Sequence, residues 1–316
     1  MTVWGEHVAD YLRLRRQLGF TLAWDEHLLG QLTGYLDAAG TGHLTSTVLI
    51  EWAGQPRRDG GAGASRAAVR MRAARSFAAY MHALDPAHEV PPSGVFSHQA
   101  RRTTPYIYTP GQITALLDAA AGLQRFERSR IYPVVFGLLA ATGMRVGEVL
   151  ALDDDEVDLD AGVITVSRGK SRDPRLVPIH ATTMQALGGY VAWRGQRDLV
   201  VVDGRTPFFT DHLGRRLTRF TTEYAFQCVR KTAGLTADGA RPRMHDLRHT
   251  FAVSTLLGWY RAGADVAGLL PRLSTYLGHS NPANTYWYLS AIPELLAHAA
   301  RMLGTAQQDP EQEARS

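Results

Sequence analysis

Two tyrosines lie close together in the segment TYWYLSA (285–291). A tyrosine phenol becomes a good nucleophile only where neighbouring groups orient and deprotonate it, because its ordinary pKa is about 10. Asn281 and Pro282 precede the segment and are typical of the start of a helix. On a helix, Tyr286 and Tyr288 would point about 200° apart. The segment therefore offers a single site only one nucleophile, and its geometry does not select between the two tyrosines.

Side chains that could bind a phosphate lie upstream of this segment. In HDLRHTFA (245–252), His245 and Arg248 are three residues apart and share one face of a predicted helix. His249 lies four residues after His245 and could pair with it on a metal, but no third ligand is evident and a cation adjoins it. We therefore interpret His249 as a core or supporting histidine and expect no metal site. His279 stands just before the turn that leads to the tyrosines.

A further arginine lies in TGMRVGE (142–148). Gly143 predicts the end of one helix, so that Arg145 falls in the first turn of the next. A cation is unfavourable there, because the N-terminus of a helix carries partial positive charge. Glu148, three residues on, could hold the guanidinium. Two interpretations stay open, a surface ion pair and an anion-binding site that includes Arg145.

Lysine is rare in this chain, since only Lys170 and Lys231 are lysines among 34 Lys and Arg residues. Lys170 lies in GVITVSRGKSRDPRLVPIH (162–180), where β-branched residues on both sides of a Gly- and Asp-bearing turn predict a β-hairpin. Lysine can release a proton under conditions in which arginine cannot. Lys170 is therefore either a proton donor or a solvated turn residue.

The elements that must position these residues form two domains. Apolar residues at helical spacing predict helices over 8–19, 23–40, 43–54 and 65–85, and Thr109 with Gln112 predicts a capping box where the second domain begins. The predicted segments are a helical domain over 1–90, a Pro-rich linker over 91–108, a second domain over 109–303 and a polar tail over 304–316.

Arginines with few acidic neighbours surround the Gly-rich loop RRDGGAGAS (57–65). Arg66 and Arg70 are one turn apart, and a merely solvated helix face would normally interleave glutamates with them. This imbalance favours contact with a DNA backbone. Arg101 and Arg102 form a second basic pair in the linker.

The composition excludes several classes of protein. The chain has 316 residues, a formal net charge of +4 and one cysteine, Cys228, so that disulfides and cysteine-based zinc sites are excluded. No run of about 18 apolar residues predicts a membrane span, and the N-terminus has no apolar signal region. A cytosolic protein of about two domains is expected.

Four motifs together resemble those of the tyrosine recombinase, or phage integrase, family. They are TGMRVGE, a turn lysine before RLVPIH, HDLRHTFA, and LGHS followed by a tyrosine, in that order and at similar spacing. The N-terminal half resembles the family's helical core-binding domain, so that the likeness covers nearly the whole chain. YLRLRRQLGF and TYWYLSAIPELL are most similar to members borne by transposons and other mobile elements. The segment between Arg248 and His279 is longer than in compact members, and the acidic run DDDE (153–156) is heavier.

The resemblance implies a mainly α fold with a small β-sheet, arranged as a two-domain C-shaped DNA clamp of a core-binding domain and an integrase-type catalytic domain. It selects Tyr288, nine residues after His279, as the nucleophile and leaves Tyr286 as a packed residue. The implied catalytic residues are Arg145, Lys170, His245, Arg248, His279 and Tyr288.

The roles of these residues are also implied by the resemblance. The two arginines would clamp the nonbridging oxygens of a phosphodiester, and His279 would add a donor. Lys170 would protonate the departing 5′-oxygen, and His245 would act as an acid or base near Tyr288.

The expected function is site-specific recombination of double-stranded DNA through a 3′-phosphotyrosyl intermediate and a Holliday junction, without a cofactor. The resemblance implies a homotetramer on two duplexes, assembled from chains that need not associate without DNA, and action on the bacterial nucleoid in the cytoplasm. Two alternatives are a type IB topoisomerase and a catalytically idle DNA-binding protein. The small size and integrase-like first domain argue against the topoisomerase, and the complete set of six residues argues against the idle protein.

Overall fold

The computed structural model of the chain describes residues 2–20, 22–56, 64–96, 105–167, 174–197, 199–236, 241–279, 281 and 283–291. The chain divides into two compact units, Met1–Thr103 and Thr104–Ser316. The boundary falls within the segment 91–108 that the sequence assigns to a linker. No described helix is long and apolar enough to cross a membrane.

The first unit is helical. Its helices are α1 (Val3–Gln17), α2 (Ala23–Ala39), α3 (Ser46–Gly54) and α4 (Ala64–Leu84). Leu32, Trp52 and Phe77 from three of these helices are almost fully buried in one apolar core. The Thr45 hydroxyl accepts a hydrogen bond from the Val48 backbone N–H at 3.3 Å and so begins α3. The helices that the apolar spacing predicts in this half are therefore present.

The second unit combines eight helices with one small sheet in its described part. The helices are α5 (Pro110–Ala121), α6 (Phe126–Thr142), α7 (Val146–Ala151), α8 (Ala181–Arg194), α9 (Arg219–Thr232), α10 (Asp246–Arg261), α11 (Val266–Leu277) and α12 (Ala283–Ala291). The strands are β1 (Val157–Asp158), β2 (Val163–Val166) and β3 (Arg175–Pro178). The predicted capping box is present, because Gln112 N donates to the Thr109 hydroxyl at 3.2 Å and Thr109 N donates to Gln112 Oε1 at 3.0 Å.

The predicted hairpin is confirmed. Strands β2 and β3 pair antiparallel, with Thr165 opposite Leu176 and Val166 opposite Arg175, and β1 pairs with the other edge of β2. Alternate residues of β2, Ile164 and Val166, are buried in the main core, as the period of a strand requires. Lys170 belongs to 168–173, which lies outside the described residues.

The long segment between Arg248 and His279 forms a helical pair with its own core. Helices α10 and α11 bury Val253, Leu256, Leu270 and Leu273, together with α12, in a cluster separate from the main core of the unit. This cluster includes one of the two tyrosines of α12, so that the pair of helices determines which tyrosine is buried.

The acidic run DDDE has a structural role. Asp153 is fully buried and forms ion pairs with Arg216 and, at 3.4 Å, with Arg205. Asp154 pairs with Arg194 at 2.7 Å. These contacts join the end of α7 to α8 and to the loops that precede α9, and they account for a run of charges that the sequence alone did not explain.

Candidate active site

The turn between α6 and α7 brings Arg145 into the site. Helix α6 ends at Gly143, whose φ of +61° favours glycine, and a Cβ there would lie 2.6 Å from the ring of Phe251. Arg145 is the N-cap residue of α7 rather than part of its first turn. The glycine that the sequence predicts to end α6 therefore permits close packing on α10 and sets the position of Arg145.

The Glu148 carboxylate fixes the position of Arg145. Its Oε1 accepts a hydrogen bond from Arg145 Nη1 at 2.7 Å, and its Oε2 accepts one from the Arg145 backbone N–H at 2.9 Å. Glu148 is 2% exposed, so that the pair is not the surface ion pair that the sequence left open.

Arg175 completes the support of this carboxylate and was not singled out in the sequence. It donates to Glu148 Oε2 at 2.6 Å and to Oε1 at 3.1 Å, while its Nε donates to the Tyr276 carbonyl at 2.8 Å. Burial would raise the pKa of Glu148, but hydrogen bonds from Arg175 and Arg145 and the Arg175 charge lower it overall. Glu148 is therefore a buried anion between two guanidinium groups.

The turn after α11 holds both candidate phosphate-binding arginines. Arg248 Nη2 donates to the Leu277 carbonyl and Arg145 Nη2 donates to the Gly278 carbonyl, each at 2.6 Å. Gly278 has a φ of +65°, and a Cβ there would lie 2.9 Å from the Arg175 guanidinium. Two consecutive carbonyls thus place two guanidinium groups side by side.

Arg248 is buried and is also fixed by the first turn, since its Nη1 donates to the Gly143 carbonyl at 2.8 Å. Burial and the Arg145 charge lower the pKa of Arg248 to about 10, although Tyr288 and Glu148 act to raise it. Arg248 therefore keeps its positive charge at neutral pH.

His279 follows the same turn directly. Its Nδ1 lies 2.8 Å from the Thr285 hydroxyl oxygen of α12. Burial, followed by the charges of Arg248 and Arg145, lowers the pKa of His279 to about 3. The imidazole is therefore neutral at neutral pH, and the hydrogen bond ties the turn to the helix that carries the tyrosines.

The two histidines of HDLRH lie next to each other where α10 begins. The ring centroids of His245 and His249 are 4.8 Å apart. Burial and the Arg248 charge lower the pKa of His245, and burial and His245 lower that of His249 to about 4. His249 Nδ1 lies 2.8 Å from the Tyr288 phenol oxygen. The sequence gave His249 a core or supporting place and did not connect it with a tyrosine.

The two tyrosines have opposite surroundings. Tyr288 is 2% exposed and faces α10, whereas Tyr286 is 52% exposed. The expectation that Tyr286 is packed away is therefore wrong. Tyr286 faces away from the core because it lies about 200° around the helix from the buried position. Asn281 Oδ1 accepts a hydrogen bond from Ala283 N at 2.9 Å, as the sequence predicts for a cap, and Pro282 lies outside the described residues.

Five of the predicted catalytic residues lie in one connected group. Two consecutive carbonyls join Arg145 to Arg248, and the charges of both act on His279. Tyr288 connects to His245 through His249. The sixth, Lys170, lies outside the described residues. Among the described residues, no group of three or more His, Cys, Asp or Glu could hold a metal ion.

The structure contradicts the expected DNA contact of Arg70. Its guanidinium donates to the Trp52 carbonyl at 3.2 Å, the Gln55 carbonyl at 3.3 Å and Gln31 Oε1 at 3.2 Å. The side chain is buried, so that it joins α4 to α2 and α3 and is not available to a ligand. Arg66 is half-buried and keeps its prediction of DNA contact.

The other two arginines with that prediction, Arg101 and Arg102, lie outside the described residues.

Comparisons with known proteins show which family the chain is similar to. The phage integrase family matches residues 107–294. The chain is 39% identical over 311 residues to the putative integrase/recombinase y4rB of Sinorhizobium fredii, covering 96% of this chain and 98% of that protein. It is 33% identical over 233 residues to the tyrosine recombinase XerD of Mycobacterium tuberculosis, covering 71% of this chain and 68% of that protein.

A solved structure shows the same fold. The Tn1549 transposon integrase in complex with transposon right end DNA is similar with a TM-score of 0.67 at 20% identity, covering 96% of this chain and 100% of that one. The predicted mainly α fold with a small sheet is confirmed.

The chain belongs to the phage integrase family. Its function is site-specific DNA recombination, and it is an enzyme of the tyrosine recombinase class, as the sequence predicted.

Proposed function

We propose that this recombinase cleaves and rejoins double-stranded DNA through a covalent 3′-phosphotyrosyl intermediate on Tyr288. The observation that carries the proposal is the turn at Leu277 and Gly278. Its two carbonyls hold Arg248 and Arg145 together, and His279 follows directly. Tyr288 connects to the same group of residues through α10, whereas Tyr286 is exposed.

The paired guanidinium groups suit the charge that develops during phosphodiester cleavage. Attack on phosphorus increases negative charge on the nonbridging oxygens, and fixed donors already aimed at those oxygens lower the barrier. Arg145 and Arg248 would supply charge-assisted hydrogen bonds to these oxygens. Their orientation costs little at the moment of reaction, because backbone carbonyls and Glu148 already hold them.

His279 would add a neutral donor. A hydrogen bond from the Thr285 hydroxyl to Nδ1 would place the imidazole proton on Nε2, where it can be donated to a phosphate oxygen. The low pKa of His279, about 3, favours this neutral form until a phosphate offsets the arginine charges.

Lys170 would protonate the 5′-oxygen as the P–O5′ bond breaks. The bond from phosphorus to Tyr288 would then retain the energy of the broken phosphodiester, so that the 5′-hydroxyl of another strand can reverse the reaction. No metal or nucleotide cofactor is needed for this exchange.

Exchange between two duplexes requires several copies of the chain. We propose a homotetramer on two duplexes that passes through a Holliday junction, and action in the cytoplasm on the nucleoid. The Tn1549 integrase was solved with transposon DNA, which supports double-stranded DNA as the partner. Arg66, Arg101 and Arg102 remain proposed contacts to the DNA backbone.

Covalent trapping tests this proposal. Each variant is incubated with a nicked duplex, from which the cleaved fragment diffuses away, and the products are separated on a denaturing gel. Tyr288→Phe should bind the duplex normally and form no protein–DNA adduct, because only the nucleophilic oxygen is lost. Tyr286→Phe is the matched control and should still form adduct. An adduct with Tyr288→Phe, or its loss in Tyr286→Phe alone, would contradict the assignment.

A further inference from the structure

His249 contacts the proposed nucleophile, yet the proposed function gives it no task. Its Nδ1 lies 2.8 Å from the Tyr288 phenol oxygen, a normal hydrogen-bond distance. Its ring is also packed against two other aromatic side chains, with centroids 4.8 Å from His245 and 5.9 Å from Trp287. The imidazole is therefore held in place on both sides while it contacts the phenol.

The burial of Tyr288 limits where its proton can go. The residue is 2% exposed, so that bulk water has little access to the phenol. A phenol that attacks phosphorus must lose its proton to a group within hydrogen-bond reach, or to one bridging water. His249 Nδ1 already occupies that position in the protein without DNA.

Arg248 interacts with Tyr288, and the surroundings of His249 keep its imidazole neutral. Arg248 lies close enough that a negative Tyr288 oxygen raises the Arg248 pKa, and the same attraction stabilises that oxygen. Burial and the neighbouring His245 lower the pKa of His249 to about 4, so that one imidazole nitrogen has a free lone pair at neutral pH. The charged or titratable groups around His249 include His245, Asp246, Arg243 and Arg248, the Tyr288 phenol of α12, and His279, whose pKa His249 lowers.

A bound DNA phosphate would change the pKa of His249. Without DNA, positive charges on Arg248 and Arg243 oppose a proton on His249. A phosphate bound by Arg145 and Arg248 would offset part of that charge and raise the pKa of His249 when the proton must move. The site is therefore able to accept a proton once the substrate is in place.

We propose that His249 accepts the phenolic proton of Tyr288 through Nδ1 as the covalent bond to DNA forms. This inference rests on the proposed function and adds a proton acceptor to it. The O–H bond of Tyr288 breaks and an N–H bond forms on His249, while the Oη–P bond forms and the P–O5′ bond breaks. The 5′-oxygen leaves with the proton that Lys170 supplies. In the rejoining step His249 returns its proton to the departing phenolate.

His245 had this role in the expectation from the sequence, but the structure places His249 between His245 and the tyrosine. A positive His245 lowers the His249 pKa, so that the two rings do not readily hold protons at the same time. The observed contact with the Tyr288 phenol therefore assigns the proton to His249.

The test uses His249→Asn in the full chain. Asparagine keeps a hydrogen-bonding side chain but cannot accept a proton. We expect single-turnover adduct formation on the nicked duplex to slow by roughly 10²–10⁴-fold, with DNA affinity unchanged. The matched control is His180→Asn, an exposed histidine that caps α8, a role that asparagine performs well; it should react at the wild-type rate.

A substrate with a 5′-sulfur leaving group separates this role from that of Lys170. Sulfur leaves without a proton, so that the slowing in His249→Asn should persist on this substrate. The wild-type rate should also fall in acid as His249 becomes protonated, and the variant should lack that dependence. In His249→Ala, added imidazole should restore part of the rate.

Three results would overturn the proposal. They are a wild-type rate and pH profile in His249→Asn, full recovery of that variant on the 5′-sulfur substrate, and no imidazole rescue of His249→Ala. The last result decides the matter if His249→Asn is poorly folded. Failure of the proposed function looks different, because wild-type protein would then form no adduct or Tyr288→Phe would form one.

Discussion

Glu148 and Arg175 form a buried two-pronged ion pair, with Oε2 and Nη2 2.6 Å apart and Oε1 and Nη1 3.1 Å apart. The same carboxylate binds Arg145, and Arg175 also binds the Tyr276 carbonyl. One carboxylate thus joins β3, the start of α7 and the end of α11 behind the paired arginines. Glu148, Arg145 and Arg175 form a buried clasp, in which Arg175 lies 27 residues along the chain from Glu148.

Loss of the Glu148 charge should weaken both stability and cleavage. Glu148→Gln keeps the size of the side chain but leaves two guanidinium groups without their counter-charge. Breaking a buried pair in this way costs about 3–5 kcal/mol in the free energy of unfolding, which urea titration measures. Adduct formation should fall at temperatures where the variant stays folded. Asp118→Asn, an exposed change on α5, is the control, and equal stability of the two variants would contradict the clasp.

The buried histidines should make the protein less stable in acid. The pKa values of His249 and His279 are about 4 and about 3 in the folded chain, below the ordinary value of about 6.5. At a pH between the folded and the unfolded pKa values, the unfolded chain binds more protons than the folded chain. The free energy of unfolding therefore falls as the pH is lowered from about 6.5. His279→Asn should flatten the dependence of the unfolding midpoint on pH in this window. An unchanged slope in that variant would contradict the low pKa of His279.

Glu148 also makes the folded protein less stable in acid, but in a lower range of pH than the two histidines. Its folded pKa lies below the unfolded value, so that its contribution is complete above about 4.5 and is lost as the pH falls through the folded pKa. The Glu148→Gln variant should therefore differ most from wild type near neutral pH, and the difference should shrink in strong acid.

Local patterns in the sequence predicted the elements well, because their causes lie within a few residues. Thr109 and Gln112 cap each other, and Gly143 ends α6 through its own backbone conformation. The alternation that predicted the β2–β3 hairpin likewise reflects neighbouring residues. The tyrosine was different, since helical geometry offered two positions and only the resemblance selected Tyr288.

The predictions from the sequence that were wrong or missing concern contacts between distant parts of the chain. Arg70 looked like a surface cation, but its acceptors lie at Gln31, Trp52 and Gln55. Tyr286 is exposed because α10 and α11 bury the other face of α12. Arg175 stabilises the site through a partner 27 residues away, and nothing in its own strand marks that role.

Arg66 and Arg70, two of the four arginines of α4, should separate stability from DNA binding. Arg70→Gln removes donors from the buried Trp52 carbonyl and the partly buried Gln55 carbonyl, and an unsatisfied buried group costs about 1–3 kcal/mol. Arg66→Gln should leave the unfolding midpoint nearly unchanged. It should instead weaken DNA binding and reduce the slope of log affinity against log salt by about one. The reverse pattern in the two variants would contradict both assignments.

Lys170→Arg should test whether a proton, rather than a positive charge, is what position 170 supplies. Arginine keeps the charge but does not release a proton in the working range of pH. We expect adduct formation on an ordinary nicked duplex to fall by roughly 10²–10⁴-fold, with DNA affinity almost unchanged. Lys231→Arg, the exposed lysine of α9, is the matched control and should behave as wild type. A 5′-sulfur substrate should restore the rate of Lys170→Arg, because a thiolate leaves without protonation. If Lys170→Arg remains slow on the 5′-sulfur substrate, Lys170 is a contact to the phosphate and not the general acid.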